Sequence, residues 1–146
     1  MSWISNFFNK SEKNSFADKQ NRLEILEDKA QTALDKGDAE PAFLLGNTFN
    51  DVDDPFYIKN PPYDVCKHNT VKAKYWLEKA MKAGHPDAMV VMGTAYCVGG
   101  AMVEKDFKYG LELIKKAKSI GTNPPHMADM ALNSLLNLQM NKVFGI

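Results

Sequence analysis

Between residue 18 and the C-terminus, apolar residues recur at steps of three and four, and glycine or proline punctuates the recurrence. That spacing predicts a series of amphipathic helices. In the first, over 18–36, Leu23, Leu26, Ala30, Ala33 and Leu34 form the apolar stripe, while Arg22, Glu24, Glu27, Asp28 and Lys29 fill the remaining surface. Lys36 followed by Gly37 is a stop signal. Asp38 opens the next helix, and Pro41 suits its first turn, where a missing N–H costs little. Ala42, Leu45 and Phe49 line its inner face. Asn69 or Thr70 caps a third helix with Val71, Ala73, Trp76, Leu77, Ala80 and Met81 on its apolar face, ended by Gly84.

The stretch 87–121 carries two more such patterns across a glycine-rich turn. Ala88, Met89, Met92, Ala95 and Tyr96 share one stripe, with Gly93 inside it. Phe107, Leu111, Ile114 and Ala117 form the other, and Gly121 closes it. The pair is expected to fold as two antiparallel helices joined by 98–103. A last helix is expected from Asn123-Pro124-Pro125 to about Asn141, with Met127, Ala131, Leu135 and Leu138 facing inward. Leu132, Leu136 and Met140 widen that surface, and Asn133, Asn137 and Asn141 form a narrow polar face.

Two stretches depart from the pattern. Residues 50–69 contain Pro55, Pro61 and Pro62, the acidic Asp51, Asp53 and Asp54, and the aromatic Phe56, Tyr57 and Tyr63. Proline with Asp and Asn marks a loop, and a loop of this length in a small domain is often functional. Residues 1–17 hold a short apolar stripe, Trp3, Ile4, Phe7 and Phe8, at helical spacing. The stripe either packs on the end of the domain or anchors to a membrane surface or partner; one short stripe without a basic face binds lipid weakly.

The helices repeat. KGDAEPAFLLGNTF, from Lys36, aligns with AGHPDAMVVMGTAY, from Ala83, so that Gly37, Gly46 and Phe49 match Gly84, Gly93 and Tyr96 at a spacing of 47. TVKAKYWLEKAMKAG aligns with FKYGLELIKKAKSIG, where Ala73, Trp76, Ala80 and Gly84 match Gly110, Leu113, Ala117 and Gly121 at a spacing of 37. The ten-residue difference lies wholly within the proline-rich loop. A repeated glycine inside a helix costs about 1 kcal/mol against alanine, so Gly46 and Gly93 point to close helix-to-helix approach.

At these positions the chain resembles the Sel1-like repeat family, relatives of tetratricopeptide repeats. The resemblance rests on Ala88, Met92-Gly93, Tyr96, Gly99, the 101–103 turn and Asp106 in one unit, and on Leu45-Gly46, Lys72-Ala73, Trp76, Lys79-Ala80 and Gly84 in the other. Ala101, Gly110 and Leu113 depart from the family pattern, and the first unit's turn is overwritten by the insertion. The resemblance implies an all-α, short right-handed solenoid of about six helices. It divides residues 18–146 into units at about 38–84 and 85–121, an insertion at 51–69 and a capping helix at 124–141. It also implies an adaptor or scaffold that binds protein.

Composition narrows the function. A chain of 146 residues with 45% hydrophobic content sustains one core-forming domain. Its 18 basic and 18 acidic residues cancel, which argues against a nucleic-acid partner. The first basic residue, Lys10, follows the N-terminal apolar cluster, so a secretory signal is not expected and a cytoplasmic location is. Cys66 and Cys97 have no framework spacing; a reducing compartment is the simpler reading, with a single bridge between them left open.

No catalytic constellation is expected. His68 lies two residues from Cys66, but a zinc site needs a second ligand pair, and none is spaced for it. His85 and His126 sit beside prolines and read as solvated turn residues. Cys97 ends a helix beside Gly99-Gly100 without an evident base, and a buried apolar role is expected. The sequence contains no Walker loop, dinucleotide fingerprint, serine elbow or zincin motif. DVDDP lacks the rest of a calcium-binding loop. Neither cofactor nor metal is therefore expected. The eight methionines read as core filling.

The insertion is the candidate site. Asp51, Asp53, Asp54, Phe56, Tyr57 and Tyr63 combine carboxylates that steer toward basic surfaces with aromatic anchors. The expected function is capture of another protein by a monomer, most concretely as a bacterial immunity or inhibitor protein that neutralises a toxin. The alternative is an adaptor in a regulatory or secretion-associated complex, with membrane contact through Trp3, Phe7 and Phe8.

Overall fold

Glycine stops the helices where the repeat places it. Gly37 and Gly84 take φ of +87° and +92°, a region that side chains with a Cβ disfavour. Each lets the next amide turn back onto the helix it leaves. Asp38 N–H donates to Ala33 O at 2.8 Å, and His85 N–H donates to Ala80 O at 3.0 Å. These bonds satisfy carbonyls that a helix end would otherwise leave open. A computed structural model describes residues 2–145, and side chains for residues 15–145.

The elements between these stops are α1 (Ser2–Asp35), α2 (Glu40–Asn50), α3 (Thr70–Lys82), α4 (Pro86–Val98), α5 (Phe107–Ile120) and α6 (Met127–Phe144), with one 3-10 turn at Tyr63–Val65. The fold is all-helical, with no strand among the described residues. α2 packs on α3 and α4 on α5 as the two most extensive pairs, and α1, the α3–α4 junction and α6 join them in chain order.

Close approach explains the helical glycines. A Cβ on Gly46 would stand 2.9 Å from both Cγ and N of Leu77, and one on Gly93 would stand 2.7 Å from Ile114 Cγ1. Leu77 and Ile114 are themselves equivalent at the spacing of 37. Gly110 is tighter still, since its Cβ would fall on the Gly93 carbonyl oxygen. Around these contacts Leu45, Phe49, Cys66, Leu77, Met92 and Ile114 are fully buried. Each large apolar side chain so buried contributes about 1.5–3 kcal/mol.

The insertion leaves this packing intact because its two ends meet. Asn69 N–H donates to Phe49 O at 2.9 Å, and in the second unit Asp106 N–H donates to Tyr96 O at 2.8 Å. Asn69 and Asp106 then cap α3 and α5 by accepting from Lys72 N–H and Tyr109 N–H at 3.0 and 3.1 Å. The same closure thus serves the short turn and the long one.

Several details differ from the sequence expectation. α1 runs unbroken from Ser2, so no helix break separates residues 2–17 from the rest of the helix. The side chains of Trp3, Phe7 and Phe8 lie outside the described residues. Val71, placed on the inner face of α3, is exposed. α6 starts at Met127, after Thr122 has closed the preceding turn by donating its hydroxyl to Pro124 O at 2.8 Å. Only its first half docks, through Ala128 and Leu135 with Met127, Ala131 and Leu132 half-buried. Leu138, expected inside, is exposed, as are Leu136 and Met140, because no helix follows to cover them among the described residues. No helix among the described residues is long and apolar enough to cross a membrane.

Candidate functional site

The insertion is built from its base outward. Lys59 folds back into it, with its side chain only 12% exposed. Its ammonium donates to Cys66 O at 2.7 Å and to Asp53 Oδ1 at 3.2 Å. Asp53 Oδ1 also accepts from His68 N–H at 3.1 Å. That backbone donor, and then Lys59, hold the Asp53 carboxyl below the usual carboxylate range. One carboxylate and one ammonium therefore tie the outgoing and returning legs together.

A second tether joins the insertion to α1. The Arg22 guanidinium donates to both Asp64 oxygens, at 2.6 and 3.3 Å. The forked geometry matches a carboxylate, and the bond holds Asp64 below its ordinary range. Beside it Cys66 is buried, and burial pushes its thiol up to about 11. Tyr63 packs half-buried with Leu26, Pro41 and Leu45 at the same end.

The outer part of the loop has no such cover. Asp54 Oδ1 accepts from Phe56 N–H at 2.8 Å, and Asp54 O accepts from Tyr57 N–H at 3.1 Å, making a tight Asx-type turn around Pro55. The turn leaves Phe56 97%, Ile58 83%, Val52 79% and Tyr57 62% exposed. Large apolar side chains held outward together on a tied loop are unusual on a monomer surface, where scattered ones are ordinary.

Of the six candidate residues, Asp51, Asp53, Asp54, Phe56 and Tyr57 share the exposed end, four of them lining one small cleft. Tyr63 is separated from them at the base, where it packs against the domain. Two of the three aspartates are partly occupied, Asp53 by Lys59 and His68 and Asp54 by the turn it makes. Val52, Ile58 and Lys59 were not among the expected residues. The signal for the first two was apolar side chains in a proline loop, Val52 between two aspartates and Ile58 beside Phe56-Tyr57, where no helical stripe claims them.

The tip borders a groove of about 700 Å³. Val52 and His68 form one wall, and the 99–103 turn forms the other. Asn47 and Asn50 of α2 and Val90, Val91 and Thr94 of α4 line it between them. Among the described residues, no Asp, Glu, Lys or Arg lines it. Its size lies in the range of about 300–1,000 Å³ typical of ligand clefts.

The remaining candidates occupy other roles. Cys66 and Cys97 are both free and buried, so no bridge joins them. Burial raises the Cys97 thiol, whose Sγ donates weakly to Phe107 O at 3.5 Å. His68 approaches Asp51 O at 3.2 Å through Nδ1. His85 is not a solvated turn residue. Its Nδ1 accepts from Ala88 N–H at 3.2 Å as the cap of α4, its ring stacks on Phe43 at 4.6 Å, and Nε2 reaches Glu40 at 2.5 Å. His126 is exposed and makes no side-chain cap bond. Among the described residues, no group of three or more His, Cys, Asp or Glu side chains is placed to hold a metal ion. No protein-family model matches the chain, and no curated protein matches it significantly.

Proposed function

We propose that the chain is a non-catalytic protein-binding module, a short right-handed solenoid of Sel1-like helix pairs that presents the 51–69 insertion to another protein. The observation that carries this reading is the tip itself: Val52, Phe56, Tyr57 and Ile58 are exposed while Lys59 and Arg22 hold the base. A loop ordered before binding loses less entropy on association, and aromatic anchors with aspartates suit a partner pocket that is apolar with a basic rim. The neutral groove beside the tip enlarges the contact.

The most concrete form of this reading is a bacterial cytoplasmic immunity or inhibitor protein whose tip plugs a toxin or effector. The alternative is an adaptor in a regulatory or secretion-associated complex. Affinity capture with the wild-type chain and with a Phe56→Ser, Tyr57→Ser, Ile58→Ser variant tests the tip, and undiminished capture of the same protein would sink its role. Co-expression with the captured protein separates the two forms: an immunity protein relieves growth arrest, whereas an adaptor has no arrest to relieve.

A further inference from the structure

On the α1 side of the insertion lies a second cavity, of about 440 Å³, between α1, the returning leg of the insertion and the start of α3. Leu23, Phe49 and Val65 make its apolar lining, and Phe16 stands exposed at its edge. Among the described residues its charged lining is of one sign: Lys19, Lys67 and Lys72 line the cavity, and no aspartate or glutamate does. Lys72 is committed, since it pairs with Glu27 and lies 5.5 Å from the Phe49 ring centroid. Lys19 and Lys67 are exposed and form no ion pair among the described residues. Asp64, which could neutralise them from the neighbouring segment, is held by Arg22.

We propose that this cavity binds a carboxylate carried on an apolar group, of the size of a medium-chain acyl acid. The apolar portion lies against Leu23, Phe49 and Val65, and the carboxylate meets Lys19 and Lys67. Charge complementarity selects an anion, and the apolar lining selects against a bare one. The site is distinct from the tip and shares only His68 with the neighbouring groove.

Two sources carry this chemistry, a free acyl acid and the C-terminus of a peptide ending in an apolar residue. Decanoate titrated into the full chain, followed by amide shifts of Val65, Lys67 and Asn69, tests the site. Decyltrimethylammonium and acetate serve as controls for tail and head. N-acetyl-phenylalanyl-leucine represents the peptide source. The expected result is saturable binding of decanoate at these amides, with no saturation by either control. Lys19→Glu with Lys67→Glu should weaken it by about ten-fold or more at unchanged Tm. Tighter binding of decanoate assigns a free acyl acid, and tighter binding of the peptide assigns a protein terminus. Equal binding of the ammonium amphiphile, shifts that never saturate, or unchanged affinity in the charge-reversed variant would overturn the proposal.

Discussion

The Lys59 ammonium lies 2.7 Å from the carbonyl oxygen of Cys66, seven residues further along, and so closes the insertion from within. A lysine this covered gives up solvation, and the carbonyl and Asp53 replace it. Lys59→Met keeps the apolar stem and removes the ammonium. A hydrogen bond to a charged group contributes about 1.5–3 kcal/mol. The loss should appear as faster amide exchange across 53–68, with smaller changes in α4 and α5. Uniform exchange across the chain would contradict a local role.

Gly110 sits where α5 crosses α4, and its Cβ would meet backbone atoms of Gly93 and Cys97. Alanine there would gain about 1 kcal/mol of helix propensity. Backbone cannot step aside as a side-chain end can, so overpacking should outweigh the gain and leave the variant about 1–3 kcal/mol less stable. Gly46→Ala should also destabilise, but less, since part of its clash is with the Leu77 side chain. Urea denaturation of both variants decides the matter, and a more stable Gly110→Ala would contradict the packing.

His85 joins α2 to α4. Because Nδ1 accepts from Ala88 N–H, the proton resides on Nε2, which donates to Glu40. Imidazole nitrogen shifts should report that tautomer. His85→Ala should cost about 1–2 kcal/mol, from a lost cap and a lost stack on Phe43. His85→Asn retains a cap and should recover part of this. Equal stability of the alanine and asparagine variants would contradict the cap.

Cys66 makes alkaline pH informative. Its thiol is raised by burial from 9.0 to about 11, so between those values the folded chain keeps a proton that the unfolded chain has lost. The stabilisation is fully present below pH 9 and is lost as pH rises through about 11. Its size is on the order of 2 kcal/mol. Tyr63 and Tyr96, also raised by burial, act in the same direction at higher pH. Cys66→Ala should flatten the decline of stability over that window, and an unchanged slope would contradict it.

Much of the frame was legible in the sequence, because helical periodicity and helix-ending glycine are local signals. Gly37 and Gly84 mark true stops, and the two offsets place the extra residues between α2 and α3. What escaped was relational. Nothing local to Lys59 says that it turns inward, and Arg22 meets Asp64 across 42 residues. His85 read as a turn residue because its stack on Phe43 and its bond to Glu40 depend on where α2 lies. Leu138 read as buried because periodicity reports an apolar face and not whether a neighbour exists to cover it.

The most direct test of the binding account is the affinity of the captured protein for the wild-type chain and for the Phe56→Ser, Tyr57→Ser, Ile58→Ser variant, by calorimetric titration. The side chains are solvent-exposed, so Tm should be unchanged. Loss of aromatic hot spots should weaken binding by about 30-fold or more. Affinity equal to that of the wild type, in a variant that folds normally, would contradict the tip as the binding element.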